Sequence, residues 1–130
     1  MNVVRLPLTC AALLLVLGCG SLGPTSDGSA PLVAIVSPLP DALVGRQVLI
    51  EANAVDDIGV DKVRFLYSVP PSANLTLIGQ VLSPPYRLTW GNGSLPDGSV
   101  VRLRVEASDV AKNIAFSEIT VTISVTHGAP

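Results

Sequence analysis

Ten carboxylates, one histidine and two cysteines are what this 130-residue chain offers to acid–base, nucleophilic or metal chemistry. The histidine, His127, lies in the tail Thr126-His127-Gly128-Ala129-Pro130. A serine nucleophile needs an imidazole held rigidly between it and a carboxylate, and nothing near His127 promises that rigidity. Glu106 and Glu118 could be neighbours on adjacent strands, but on a convex, solvated face without the cleft that paired-carboxylate glycoside chemistry requires. Both cysteines fall within the first nineteen residues. The body therefore has no thiol for a nucleophile, a disulfide or a His/Cys metal site. No catalytic residue and no small-molecule substrate are expected. What remains is binding chemistry, carried by acidic loops, by three arginines and by a proline-rich loop, and its meaning depends on the elements that hold it.

Those elements follow a period of two, the mark of half-buried strands. In Gln47–Val55, Val48, Ile50, Ala52 and Ala54 share one face, with Glu51 and Asn53 on the other. In Asp61–Ser68, Val63, Phe65 and Tyr67 alternate with Lys62, Arg64 and Leu66. Tyr86, Leu88 and Trp90 alternate with Arg87 and Thr89, and Leu103, Val105 and Ala107 with Arg102, Arg104 and Glu106. The last segment sets Ile119, Val121, Ile123 and Val125 against Thr120, Thr122, Ser124 and Thr126. Leu32–Val36 and Leu75–Gln80 are weaker segments, which brings the expectation to seven strands. Turn chemistry separates them at Pro38-Leu39-Pro40-Asp41, Asp56-Asp57-Ile58-Gly59, Ser83-Pro84-Pro85 and Pro96-Asp97-Gly98. The 11 glycines and 11 prolines are spread along the chain, which suits short strands and would break a helical bundle. Strands with one apolar face each must close as two sheets, so the expected fold is all-β, an antiparallel immunoglobulin-like or fibronectin-III-like sandwich.

The N-terminus is of a different kind. Arg5 is the only charge before the apolar run Leu6–Leu17. Twelve helical residues cover about 18 Å, short of a hydrocarbon core of about 30 Å, so the run reads as a secretory signal. The stretch Leu15-Val16-Leu17-Gly18-Cys19 resembles the lipobox of bacterial lipoproteins. That resemblance implies cleavage after Gly18, acylation of Cys19 (palmitate among the chains) and a stable lipid anchor. Gly20, rather than Asp, follows the cysteine, which favours the outer membrane if the organism has two membranes. The expected organisation is a signal peptide over 1–18, a lipidated Cys19 with a flexible tether to residue 30, a sandwich over 31–126 and a tail over 127–130. The eleven residues Gly20–Ala30 have an r.m.s. reach of about 17–20 Å, which keeps the sandwich near the membrane.

The body also resembles the bacterial Ig-like domains of secreted and surface proteins. The matching pieces are Val33-Ala34-Ile35-Val36-Ser37-Pro38, the run Val48 to Val60 with Asp56-Asp57-Ile58-Gly59, Val63-Arg64-Phe65, Leu77-Ile78-Gly79, Pro85 to Trp90, Leu95-Pro96-Asp97-Gly98, and Ala107-Ser108-Asp109 with Asn113. The resemblance spans about Pro31 to Thr126 and implies spacer, adhesive or binding-module roles. Two positions depart from it. The connection Ser68–Asn74 is longer than the family's tight turn, and Lys112 stands where the family has glycine.

In such a sandwich the loop after the second strand and the loop before the last share one end. Asp56, Asp57, Asp61, Asp109 and Asn113 gather there, oxygen donors of the kind Ca²⁺ takes. Weak calcium binding by Asp56, Asp57, Asp109 and Asn113 is one expectation, and no other cofactor is expected. The competing reading is that Asp56 and Asp109 brace their own turns through Asx hydrogen bonds. Arg64, Arg102 and Arg104 face outwards on adjacent strands and could meet anionic headgroups or acidic polysaccharide. With Glu106 and Glu118 among them, a solvated face is the weightier reading. The enlarged loop, with Val69, Pro70, Pro71 and Asn74, is a candidate partner contact.

Without residues 1–18 the chain holds seven basic and ten acidic side chains, a formal charge of −3, which is no footprint for nucleic acid. The expected function is a non-enzymatic, lipid-anchored module for protein contact or spacing in the cell envelope, open to strand addition at its edges. The alternative is a carbohydrate- or calcium-dependent surface binding module. The inward phase of Trp90 speaks against a sugar platform, which needs an exposed ring.

Overall fold

The computed structural model describes residues 28–125. The period-two segments are strands, eight in number among the described residues, with no helix. They are β1 (Leu32–Ser37), β2 (Leu43–Val44), β3 (Gln47–Val55), β4 (Val60–Ser68), β5 (Thr76–Val81), β6 (Tyr86–Gly91), β7 (Val100–Asp109) and β8 (Ile114–Ile123). They form a three-stranded sheet in the order β1-β3-β6 and a five-stranded sheet in the order β2-β8-β7-β4-β5. All pairings are antiparallel except β2 with β8, which is parallel.

The inward-facing residues predicted from alternation make the core. Val48 and Ile50 from β3 and Tyr86 and Trp90 from β6 meet Val63 and Phe65 from β4, Val101, Leu103 and Val105 from β7, and Val121 and Ile123 from β8. Trp90 is buried, and its ring lies 5.0 Å from that of Tyr67 across the two sheets, tilted by 36°. Close approach at the open edge of the sandwich depends on Gly79 of β5. A Cβ there would sit 3.1 Å from the Leu88 Cδ2 of β6.

The last strand starts at Ile114, five residues before Ile119, and ends at Ile123, before Val125. Its first half escapes the pattern because Ile114 and Phe116 are apolar side chains on the exposed phase. Its end is cut short because the Val125 amide leaves the ladder and donates to Asp97 Oδ1 at 2.8 Å. The eighth strand, β2, is two residues long, too short to show alternation. The Ser124 amide extends its contact with β8 by donating to the Val44 carbonyl at 2.8 Å.

A buried asparagine, Asn92, fastens the turn after β6 to the turn before β3. Its Nδ2 donates to the Gly45 carbonyl at 2.9 Å and its amide to the Arg46 carbonyl at 3.0 Å. Arg46 Nη1 returns the contact by donating to the Asn92 carbonyl at 3.2 Å and to the Leu95 carbonyl. The side-chain amide nitrogen of Asn92 is thus committed to the fold.

Candidate functional site

The acidic residues do meet at one end. Val60 pairs with Asp109, so the β3–β4 turn and the β7–β8 turn lie side by side. Asp109 is fully buried. Its Oδ1 accepts from the amides of Ala111 and Asn113, both at 2.9 Å, and its Oδ2 accepts from Asn113 Nδ2 at 2.9 Å. Asp56 Oδ2 accepts from the amides of Ile58 at 3.1 Å and Gly59 at 3.0 Å. Both carboxylates therefore satisfy the backbone of their own turns, the arrangement in which an Asx side chain does best. Asp57 is exposed and Asp61 half-buried. Among the described residues no three Asp, Glu, His or Cys side chains stand close enough together to hold a metal ion. Lys112 adopts φ 74° and donates its amide to the Asp109 carbonyl at 3.1 Å. The left-handed turn that the family makes with glycine thus forms here with lysine.

The three arginines lie on the outer face of the five-stranded sheet, where β7 pairs with β4 and β8. Glu106 sits between two of them, with Arg64 Nη1 at 3.6 Å and Arg104 Nη1 at 3.4 Å. Arg104 also reaches Glu118, at 2.7 Å from both Nε and Nη2. Its guanidinium lies 3.9 Å from the centroid of the Phe116 ring, close enough for a cation–π contact. Arg102 pairs in register with Ser68 and Thr120 and makes no ion pair among the described residues. The stripe is thus largely neutralised: two of its three cations share two carboxylates.

The proline loop closes on itself, with the Ser72 amide donating to the Val69 carbonyl at 3.0 Å and the Asn74 amide to Ser72 Oγ at 3.2 Å. Val69 is half-buried against the core. Pro71 and Asn74 are exposed. Cys19 and His127 lie outside the described residues.

Sequence reasoning assigned nothing to the outer face of the three-stranded sheet, yet every strand there shows exposed residues in outward phase. Leu32, Ala34 and Val36 from β1 and Leu49 and Val55 from β3 point outwards. Leu32 is 74% and Val55 62% exposed, and they are direct partners across the β1–β3 ladder. The signal was present as apolar residues on the polar phase of β1 and β3, but short strands buried on both faces give the same pattern.

Two sheets packed face to face, with this strand order and no helix among the described residues, define the immunoglobulin-like and fibronectin-III-like class of sandwich. The model of the bacterial Ig domain family matches residues 31–102, and the chain belongs to that family. Among solved structures, it is similar to the fibronectin(III)-like modules of CbhA from Clostridium thermocellum. The identity is 22% and the TM-score 0.59, over 72% of this chain and 97% of that one. This is a likeness of fold. No curated protein matches the chain.

Proposed function

We propose that this chain is a lipid-anchored, non-enzymatic Ig-like module that mediates protein contact or spacing in the bacterial cell envelope. The observation that supports it is where the charged groups go. Asp56 and Asp109 brace turns, while Glu51, Glu106 and Glu118 pair with arginines on open sheet faces. Acid–base chemistry needs such groups convergent on a reacting atom, and here they serve the scaffold. The lipobox-like Leu15–Cys19 stretch supports the anchor, and Gly20 favours the outer membrane. The free edges of β5 and β6 offer a route to a partner by strand addition. The β5 segment Thr76–Val81 carries no charge to repel an incoming strand.

The test is in-cell crosslinking of the full chain, followed by affinity capture and mass identification, with a Cys19→Ser variant alongside. One reproducible protein partner, lost when β5 is altered by Leu77→Lys, establishes the contact role. Recovery of envelope polysaccharide alone overturns it. A Cys19→Ser chain that stays in the membrane fraction overturns the anchor.

A further inference from the structure

Asn92 is the one asparagine of this chain that a glycine follows. The other four, Asn2, Asn53, Asn74 and Asn113, precede valine, alanine, leucine and isoleucine. Asparagine loses its side-chain amide when the backbone nitrogen of the next residue attacks its Cγ, and a Cβ on that next residue hinders the approach. Glycine has no Cβ and turns freely, so in a free chain Asn92-Gly93 is the asparagine site that reacts fastest. In the fold the two residues are treated differently. Gly93 is exposed, and a Cβ built on it would meet nothing within 4 Å. Asn92 is 2% exposed.

Everything that the attack must move is held. Asn92 Nδ2 donates to the Gly45 carbonyl at 2.9 Å, and Oδ1 accepts from Arg46 Nη1 at 3.4 Å. The backbone is fixed on both sides, since the Asn92 amide donates to the Arg46 carbonyl at 3.0 Å and its carbonyl accepts from the Leu95 amide at 3.0 Å. To bring Cγ onto the Gly93 nitrogen, the side chain must leave Gly45 and Arg46 and the backbone must rotate. The neighbouring Gly91 is the last partner of Gln47 in the β3–β6 ladder, so this rotation opens the end of that ladder.

We infer that Asn92 is a deamidation site open only in the unfolded chain, and that its conversion makes unfolding irreversible. The Gly93 nitrogen gives its proton to water and bonds to Cγ. The Cγ–Nδ2 bond breaks, and the nitrogen leaves as ammonia. One water then opens the resulting succinimide at either carbonyl, to aspartate or to isoaspartate. Nothing is oxidised or reduced, and water is the only co-reactant. Neither product fits the native site. Aspartate puts an acceptor where Nδ2 donated, facing the Gly45 carbonyl across 2.9 Å, and two buried acceptors without a proton between them are costly. Isoaspartate adds a methylene to the backbone between the Gly91–Gln47 pair and the turn closed by the Leu95 amide. Neither a lipid anchor nor a partner enters into this chemistry.

The experiment holds the full chain at mildly alkaline pH, in buffer and in parallel in urea above its unfolding midpoint, and follows amide-to-acid conversion by peptide mass. In urea, Asn92 should convert ahead of Asn53 and Asn74. In buffer its conversion should be slower by about 1,000-fold or more, as a fraction unfolded of about 10⁻³ or less dictates. On removal of urea, the share of chains that refold should fall in step with conversion at Asn92. Gly93→Ala fills open space at a backbone position that is not among the positive-φ glycines. It should keep the parent's urea midpoint, convert several-fold more slowly in urea and hold its refolding yield for longer. Asn92→Asp should lower the midpoint or prevent folding. Conversion at Asn92 in buffer at the rate seen in urea overturns the protection. Converted chains that refold with the parent's midpoint overturn the irreversibility, as does a Gly93→Ala chain that loses its refolding yield as fast as the parent.

Discussion

On the outer face of the five-stranded sheet, Arg64, Glu106, Arg104 and Glu118 form a continuous line of ion pairs. On the outer face of the three-stranded sheet, Leu32 faces Val55, and Leu49 and Val36 lie open around a single Glu51–Arg87 pair. Both sheets obey the same alternation towards the core, so the interior cannot account for the difference. The exterior can. A line of paired charges is what a sheet facing water tolerates at little cost in either direction. Exposed apolar side chains stand on both faces, Leu32, Val36, Leu49 and Val55 on the smaller sheet and Leu43, Val100, Ile114 and Phe116 on the larger. The two faces thus differ in their charges rather than in how many apolar side chains they expose: the larger sheet carries a network of four charged groups and the smaller a single pair.

The comparison can be pressed hardest at the end the two sheets share. Asp109→Ala leaves three nitrogen donors of the β7–β8 turn without their carboxylate. It should cost about 2–4 kcal/mol, read as a lower denaturation midpoint, on whichever face labels or partners are then tested. Gly79→Val sets a side chain against Leu88 where the sheets approach at their open edge. A loss of about 1–2 kcal/mol is expected, again by denaturant titration.

Between the faces themselves, Arg104→Ala removes the contacts to Glu106, Glu118 and Phe116. Because these groups are only partly exposed and act as a network, the expected loss is about 1 kcal/mol. It should shrink as salt is raised. Leu49→Ser with Val55→Ser, on the other face, should change stability by no more than about 0.5 kcal/mol, because both side chains are already in solvent. A larger loss there would mean that the aliphatic face is structural, and the contrast between the faces would collapse.

The smallest effect belongs to Lys112→Gly. Relief of the left-handed backbone at φ 74° is worth about 1 kcal/mol, and the added chain entropy of glycine offsets about 0.5–1 kcal/mol of it. A thermal midpoint within a degree or two of the parent is the expected reading.

Much of this architecture was legible in the residues. Val48, Ile50, Phe65, Trp90, Leu103, Val105, Val121 and Ile123 announce an interior because a strand places alternate side chains on opposite faces, and all of them are buried. Asp56 and Asp109 could be read as turn braces because a carboxylate two to four residues before free amides closes on them locally, and both do. The first half of β8 was not legible. Ile114 and Phe116 sit on the outward phase, and alternation alone reads them as a break in the strand. Nor was Asn92, whose partners Gly45 and Arg46 are more than forty residues away in the chain.

The sequence by itself determined the number of layers, the inward side of each main strand and the all-β class, because these follow from local periodicity and turn chemistry. Only the tertiary structure decided that Arg64 and Arg104 would share Glu106, that Leu32 would lie beside Val55, and that the chain would enter at that edge. Those relations depend on register between strands distant in sequence. Between such strands register is fixed by which faces must close over one core, because a one-residue slip would turn the inward set outwards.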